Sequence, residues 1–145
     1  MNTPLDFFKQ NIGKSLGNGP SPVAKWLDGI LVEAKEGSLT ATFVVRQDMC
    51  NPMMILQGGV ASTMMDDLMG MTVYSLGLEN FYTTVNLSID FLKSARIGET
   101  VTVVTEVIRQ GRNIVNCESR VYNAKQEIVA KAMSNLIQTT ISVPK

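Results

Sequence analysis

The sequence predicts an α+β domain in which one antiparallel sheet of about five to six strands wraps around a single long helix. The prediction depends on a length of 145 residues, one long apolar helical stretch, and strand-like runs on both sides of it. Two of these runs precede the helix and four follow it, with short turns between them. A long sheet folded around one buried helix satisfies this order best.

A helical lead-in is predicted over residues 1–27. Thr3 followed by Pro4 is typical of an N-cap and a first helical position, and the apolar stripe that follows ends at Gly13. Ser21 is predicted to cap a second, shorter helical turn. These two elements lead into the first strand.

The predicted sheet and the long helix occupy residues 28–142. Six runs are rich in Val, Ile, Thr and aromatic residues, as strands typically are, and they cover residues 30–35, 38–46, 81–92, 99–109, 114–123 and 127–142. The Glu36-Gly37 pair predicts a tight hairpin between the first two runs. The helix covers about residues 58–76. No internal repeat or interdomain linker interrupts the sequence, so residues 1–145 are interpreted as one domain.

Composition excludes several classes of function. Thirteen basic and 13 acidic residues give a formal net charge of zero, which argues against broad nucleic-acid binding because that needs a basic surface. No uncharged apolar stretch reaches the length of a membrane span, so no membrane association is expected. Asp6 lies where a signal peptide would carry basic residues. We therefore expect a cytoplasmic protein.

The absence of histidine narrows the chemistry further. It excludes Ser-His and Cys-His nucleophile pairs, imidazole metal sites and histidine acid–base catalysis. Cys50 and Cys117 have neither metal-like nor redox spacing, and we expect both to be reduced and structural. No pattern in the sequence predicts a metal or another cofactor.

The start of the long helix is the strongest functional signal. Gln57-Gly58-Gly59 opens the helix, and the acidic pair Asp66-Asp67 follows two turns later. The first amides of a helix have no intrahelical acceptor and attract negative charge. A carboxylate on an apolar helix costs free energy unless something compensates it. Acyl-transfer chemistry uses both kinds of group, the free amides of a turn and a carboxylate.

Helical geometry separates the two acids. At 100° per residue, Asp66 shares a sector with small side chains, where a ligand could approach it. Asp67 is turned toward a more crowded sector. The alternative, that both acids only solvate an exposed edge, remains open at this point, and Asp66 is the stronger functional candidate.

The spacing along the helix predicts an oligomer. Gly58 and Asp66 are eight residues apart, or roughly 12 Å along the helix axis. An oxyanion donor and a nucleophile or base must both lie within about 3 Å of one carbonyl group. One helix cannot meet this requirement, whereas two antiparallel copies can. A catalytic site here would be shared between subunits.

Asn51, the Gln57-Gly58-Gly59 turn and Asp66 resemble the hotdog-fold acyl-CoA thioesterases of the phenylacetate-pathway (PaaI-like) type. Those proteins have an Asn, a His-Gly-Gly turn and an Asp or Glu on the central helix at this spacing. The similarity continues through residues 85–99, 111–113 and 129–132, so it covers about residues 28–140. It implies a hotdog fold that forms a homodimer or homotetramer.

The resemblance also implies roles for individual residues in hydrolysing an acyl-CoA to a carboxylic acid and CoA. The Gly58 amide would form the oxyanion hole, and Asp66 of the partner subunit would be the nucleophile or the general base. Asn51 would position the thioester or the attacking water. Thr84 matches a position that often holds a hydroxyl residue near the acid. A thioester is a suitable substrate for a site with so few catalytic groups, because a thiolate is a good leaving group.

One position departs from the family pattern, because Gln57 replaces the histidine of the His-Gly-Gly turn. If that histidine only orients groups by hydrogen bonding, the amide of Gln57 can replace it. If it titrates or carries charge, Gln57 cannot do so. The alternative hypothesis is therefore a non-catalytic hotdog module that binds acyl-CoA or serves as a scaffold. Dehydratases of this fold rely on a histidine, which the chain lacks.

Further residues are expected to contact the substrate. Gly59 extends the amide turn, and Met65 belongs to a methionine-rich helix that either fills the core or lines an acyl channel. Basic residues in or beside turns are candidates for the CoA phosphates, with solvated turn charges as the alternative. They are Lys93, Arg96, Arg109 and Arg112.

Overall fold

The computed structural model describes residues 2–145, which contain three α-helices and one antiparallel sheet of six strands. The helices are α1 (Thr3–Gln10), α2 (Pro22–Leu27) and α3 (Gly58–Tyr74). The strands are β1 (Ile30–Lys35), β2 (Ser38–Val44), β3 (Asn80–Phe91), β4 (Thr100–Gln110), β5 (Ile114–Tyr122) and β6 (Ile128–Ser142). Helix α3 packs against the sheet. The predicted hotdog arrangement is confirmed.

The two short helices begin at side-chain caps. The side-chain oxygen of Asn2 accepts a hydrogen bond from the Leu5 amide at 3.3 Å, so Asn2 is the N-cap of α1. The prediction that Thr3 caps this helix is wrong by one residue. Ser21 caps α2 as expected, because its hydroxyl oxygen accepts from the Ala24 amide at 3.3 Å. Both helices lie before the first strand, as the lead-in was predicted to do.

The order of strands across the sheet is β1-β2-β4-β5-β6-β3. The predicted hairpin joins β1 to β2, and Gly37 within it has a φ of 72°, a conformation that favours glycine. The last two strands of the order, β6 and β3, pair over almost the whole length of β3. The other edge of β3 has no strand neighbour within residues 2–145. This open edge adjoins the site described below.

Helix α3 buries one face against the sheet. The buried residues recur at helical spacing and are Ala61, Met64, Met65, Leu68, Met69, Thr72 and Val73. Burying a side chain of the size of Leu or Met stabilises the fold by about 1.5–3 kcal/mol, so this face anchors the helix. The opposite face, which includes Gly59, both acids and Gly70, is only partly covered.

Helix α3 ends two residues earlier than expected. It was predicted to reach about residue 76, but its last helical residue is Tyr74 and Ser75 is the C-cap. Gly77 then has a φ of 73°, which turns the chain toward β3. None of the helices in residues 2–145 is long and apolar enough to cross a membrane.

Candidate active site

The start of α3 presents two unpartnered backbone amides. Gln57 is the N-cap, and its side-chain oxygen accepts a hydrogen bond from the Val60 amide at 3.1 Å. The Gln57 carbonyl accepts from the amides of Val60 and Ala61 at 2.9 and 3.1 Å. The amides of Gly58 and Gly59 have no acceptor among residues 2–145. Their partial positive charge is therefore available to an anion or an oxyanion.

Side chains of neighbouring residues lie close to both glycines. A Cβ atom on Gly58 would lie 3.0 Å from the Phe91 ring, which packs against the helix start. A Cβ atom on Gly59 would lie 2.8 Å from the side-chain oxygen of Gln57. Side chains at these positions would disturb the ring or the cap, so glycine keeps the amides accessible.

The loop before α3 is held by Asn51. Its side-chain oxygen accepts hydrogen bonds from the amides of Met53 at 3.0 Å and Ile55 at 3.4 Å. This Asx turn accommodates Met54 at a φ of 59°. The oxygen of Asn51 is thus engaged in shaping the loop. The side-chain NH₂ is the group that remains for a substrate.

Asp66 lies on the partly covered face of α3, opposite strand β3. The Thr84 hydroxyl donates a hydrogen bond to the Asp66 Oδ1 atom at 2.8 Å. Both side chains are half-buried. A hydroxyl donor fixes the orientation of the carboxylate and leaves its second oxygen free. The structure therefore brings together two of the residues that the sequence analysis selected.

Asp67 differs from its neighbour. Burial, with a smaller contribution from the charge of Asp66, raises the pKa of Asp67 from 3.8 to about 6. Asp67 is half-buried and has no hydrogen-bond partner within the described part of the chain. The crowded sector predicted for Asp67 agrees with this environment.

One chain does not bring the acid and the free amides together. Gly58 and Asp66 lie on the same unbroken helix, which runs from Gly58 to Tyr74. Their eight-residue separation corresponds to about 12 Å along the axis. The amides and the acid of one chain therefore belong to different sites if both act on a carbonyl group.

The remaining predicted site residues lie in different parts of the structure. Met65 has 0% exposed surface and packs in the core, because its helical sector faces the sheet. It therefore contributes to the core of the chain, and its contact with a substrate stays a prediction. Lys93 forms an ion pair with Glu127. Lys93 and Arg96 follow β3 near the helix start, whereas Arg112 lies in the β4–β5 turn at the opposite end of the sheet.

Two features of the site were not predicted. Phe91 packs against Gly58, and a cavity lined by aromatic side chains lies beside Gly70. The sequence carried weak signals of both. Phe91 ends the strand that contains Thr84, and Gly70 follows Asp66 by one helical turn. Their proximity depends on the packing of α3 on β3, which the sequence pattern alone does not specify.

A comparison with known protein families assigns this chain to one of these families. The family model described as the thioesterase superfamily matches residues 54–130, which is more than half of the chain. The matched range contains the helix start, both acids and Thr84. The chain belongs to the thioesterase superfamily.

Known proteins agree with this assignment. Human acyl-coenzyme A thioesterase 13 is 24% identical over 84 residues, which are 58% of this chain and 60% of that protein. The match thus spans less than two thirds of the length of that relative. A phenylacetic acid degradation-related protein of Ralstonia eutropha JMP134 is 30% identical, with a TM-score of 0.76 over 83% of this chain and 93% of that one.

A third similarity extends over the full length. The E. coli PaaI protein from the phenylacetic acid degradation operon has a TM-score of 0.85, covering 99% of both chains at 19% identity. This likeness shows that the two proteins share a fold. The family match and the 30% identical protein of Ralstonia eutropha confirm the predicted PaaI-like relationship, and the likeness to PaaI confirms the hotdog fold.

Proposed function

We propose that this thioesterase-superfamily protein hydrolyses an acyl-CoA thioester to a carboxylic acid and CoA, in a site shared by two copies of the chain. One copy supplies Asp66 and the other supplies the amide of Gly58. The observation that carries the proposal is the hydrogen bond of 2.8 Å from Thr84 to Asp66, on a helix whose first two amides are free. An oriented carboxylate and an oxyanion donor are the two groups that thioester hydrolysis needs most.

Two routes are compatible with these groups. Asp66 as general base takes a proton from water while the water oxygen attacks the carbonyl carbon, and the amide of Gly58 stabilises the oxyanion. The C–S bond then breaks, and the proton is transferred to the departing thiolate. Asp66 as nucleophile instead attacks the carbonyl carbon, and the C–S bond breaks to release the thiolate and leave a mixed anhydride. Water hydrolyses this anhydride in a second step, which gives the carboxylic acid and regenerates the Asp66 carboxylate. Both routes avoid a strong general acid, because a thiolate leaves more readily than an amine.

The arrangement of α3 and β3 favours a shared site. Strand β3 has a free edge, and it carries exposed apolar residues, with Phe81 40% and Val85 59% exposed. A long edge strand of this kind is suited to pair with another strand. An antiparallel β3–β3 pair around a two-fold axis would also place two α3 helices side by side in opposite directions. Each Asp66 could then approach the first amides of the other helix.

Other residues have supporting roles in this proposal. Gly59 adds a second free amide, and Gln57 holds the turn through its cap. The NH₂ group of Asn51 is suited to orient the thioester or the attacking water. The similarity to an acyl-coenzyme A thioesterase supports CoA as the thiol portion. Lys93 and Arg96, near the helix start, are the basic residues best placed for its phosphates.

A thiol-release assay with a series of acyl-CoA substrates tests the proposal. Asp66→Asn keeps the shape of the side chain but removes the carboxylate, and we expect it to abolish turnover. Gly58→Pro removes the N–H donor at the first helical position, where proline is well tolerated. We expect its kcat to fall by roughly 10²–10³-fold, the typical loss for an oxyanion-hole donor.

Gly58→Ala is the matched control for the proline variant. It also introduces a Cβ atom against Phe91 but retains the N–H group, so it should keep far more activity than Gly58→Pro. Equal losses in the two variants would contradict the role of the amide. A wild-type protein that binds acyl-CoA in calorimetry but turns over no thioester would favour the non-catalytic binding module instead.

A further inference from the structure

A cluster of polar side chains connects the end of α2 to the chain just beyond β2. The guanidinium group of Arg46 donates hydrogen bonds to the carbonyl oxygens of Trp26 and Leu27, the last two residues of α2, with the Leu27 bond at 3.1 Å. It lies over the Trp26 ring, 5.4 Å from the ring centroid. Its Nε atom donates to the Asp48 Oδ1 atom at 3.1 Å, and the Trp26 indole N–H donates to Oδ2 at 3.2 Å. Each nitrogen atom of the guanidinium group therefore has an acceptor.

Backbone hydrogen bonds continue from Arg46 to the start of α3. One turn of 3₁₀ helix, Gln47–Met49, follows Arg46. The Arg46 carbonyl accepts from the Met49 amide at 3.0 Å, and the Met49 carbonyl accepts from the Gln57 amide at 3.0 Å. Met49 is 1% exposed, so its side chain anchors this turn in the core. Because Gln57 is the N-cap of α3, two hydrogen bonds connect Arg46 to the residue that precedes the free amides.

The loop before α3 has a second attachment, to the segment that follows β3. The Leu56 amide donates to the Ala95 carbonyl at 2.7 Å, and the Ile97 amide donates to the Met54 carbonyl at 3.1 Å. These bonds hold the later part of the loop, whereas Arg46 holds its first turn to α2. Loss of the Arg46 contacts should therefore displace the helix start without releasing it.

We infer that Arg46 is a positioning residue, which acts through Met49 and Gln57 to hold the Gly58 amide where the oxyanion forms. The inference rests on the proposed thioester hydrolysis. An oxyanion donor must lie about 2.7–3.1 Å from the oxygen atom that develops charge, and a displacement of about 1 Å can cost roughly 100-fold in rate. The carbonyls at the end of a helix attract cations, and the planar fork of arginine fixes several acceptors at once.

The first test compares Arg46→Met with a control on the same helix. Arg46→Met removes all the side-chain donors, and we expect kcat for thiol release to fall roughly tenfold with little change in KM, because the attachment at Ala95 limits the displacement. Lys25 also donates to two carbonyls, those of Gly17 and Gly19 at 3.2 and 2.6 Å, but these bonds lead away from α3. Lys25→Met should therefore keep the wild-type kcat. Equal losses in the two variants would overturn the inference.

A double variant decides whether Arg46 acts through the amide. Where two groups act through one interaction, the effects of their substitutions are not additive. The combination of Arg46→Met and Gly58→Pro should therefore have a kcat close to that of Gly58→Pro alone. Losses that multiply would overturn the inference, as would a wild-type kcat for Arg46→Met by itself.

Hydrogen exchange tests the same contact without turnover. The amides of Gln57, Val60 and Ala61 all form hydrogen bonds at the helix start. In Arg46→Met they should exchange roughly tenfold faster than in the wild type, the change in local opening that loss of a hydrogen bond to a charged group brings, and Lys25→Met should leave them unchanged. Unchanged exchange in Arg46→Met would overturn the inference. A wild type that turns over no thioester would instead overturn the proposed function, and the exchange rates would still show whether Arg46 holds the helix start.

Discussion

Replacing Asp67 by asparagine should stabilise the folded protein at neutral pH. The folded protein holds the pKa of Asp67 at about 6, against an ordinary value of 3.8, mainly because the side chain is half-buried. The difference between these two values, at 1.36 kcal/mol per pKa unit, corresponds to about 3 kcal/mol. Because the carboxyl group retains contact with solvent, we discount this figure to about 1–2 kcal/mol. The asparagine side chain of the variant carries no charge and avoids this cost.

The sign of the pH dependence follows from the raised pKa. Between about pH 4 and pH 6 the folded state binds more protons at Asp67 than the unfolded state. The contribution of Asp67 to stability therefore becomes less favourable as pH rises through this window, and the cost is complete above about pH 6. The variant should gain little at pH 4 and most at pH 7–8, where a gain of 1–2 kcal/mol raises Tm by roughly 2–8 °C.

Thermal unfolding at fixed protein concentration and several pH values measures this gain. Asp90→Asn is the control, because Asp90 is exposed on β3 and its substitution should change stability by less than about 0.5 kcal/mol. A gain that is the same at pH 4 and pH 8 would refute the assignment to ionisation. A variant less stable than the wild type at pH 8 would show that the Asp67 carboxylate has a partner in the assembled protein.

Two further predictions concern single side chains. Thr84→Val should lower kcat by roughly 10- to 100-fold with little change in KM, because a hydrogen bond to a charged group contributes about 1.5–3 kcal/mol. Thr84→Ser keeps the hydroxyl and should retain most of the activity. A valine variant with wild-type kcat would contradict the role of the hydroxyl. Cys117 should resist thiol reagents in the native protein, because it is 0% exposed and burial raises the pKa of its thiol to about 12; reaction of both cysteines without denaturant would refute this.

Much of the fold could be predicted from periodicity and turn residues. The six strands and the long helix were expected close to their observed positions, because strand-forming residues alternate with recognisable turns such as the one at Gly37. The cap of α1 was misplaced because Asn2 and Thr3 are both good capping residues and neighbours. Element boundaries of this kind depend on single hydrogen bonds that composition does not distinguish.

The candidate site was predictable only in part. Sequence spacing and the family resemblance identified Gly58, Asp66 and Thr84, and the structure places the last two in contact. Met65 could not be assigned in this way, because a methionine on an apolar helix suits both the core and a substrate channel. The cavity beside Gly70 was not foreseen, since it arises from how α3 packs on β3.

Mixing two inactive variants tests the shared site most directly. Asp66→Asn and Gly58→Pro subunits, carrying different affinity tags, are co-expressed, and the mixed dimers are assayed for thiol release. In a shared site, each mixed dimer has one intact site, formed by Asp66 of one subunit and the Gly58 amide of the other. Purified mixed dimers should then recover about half of wild-type activity, since one of two sites is restored. Mixed dimers as inactive as either parent would contradict the shared site.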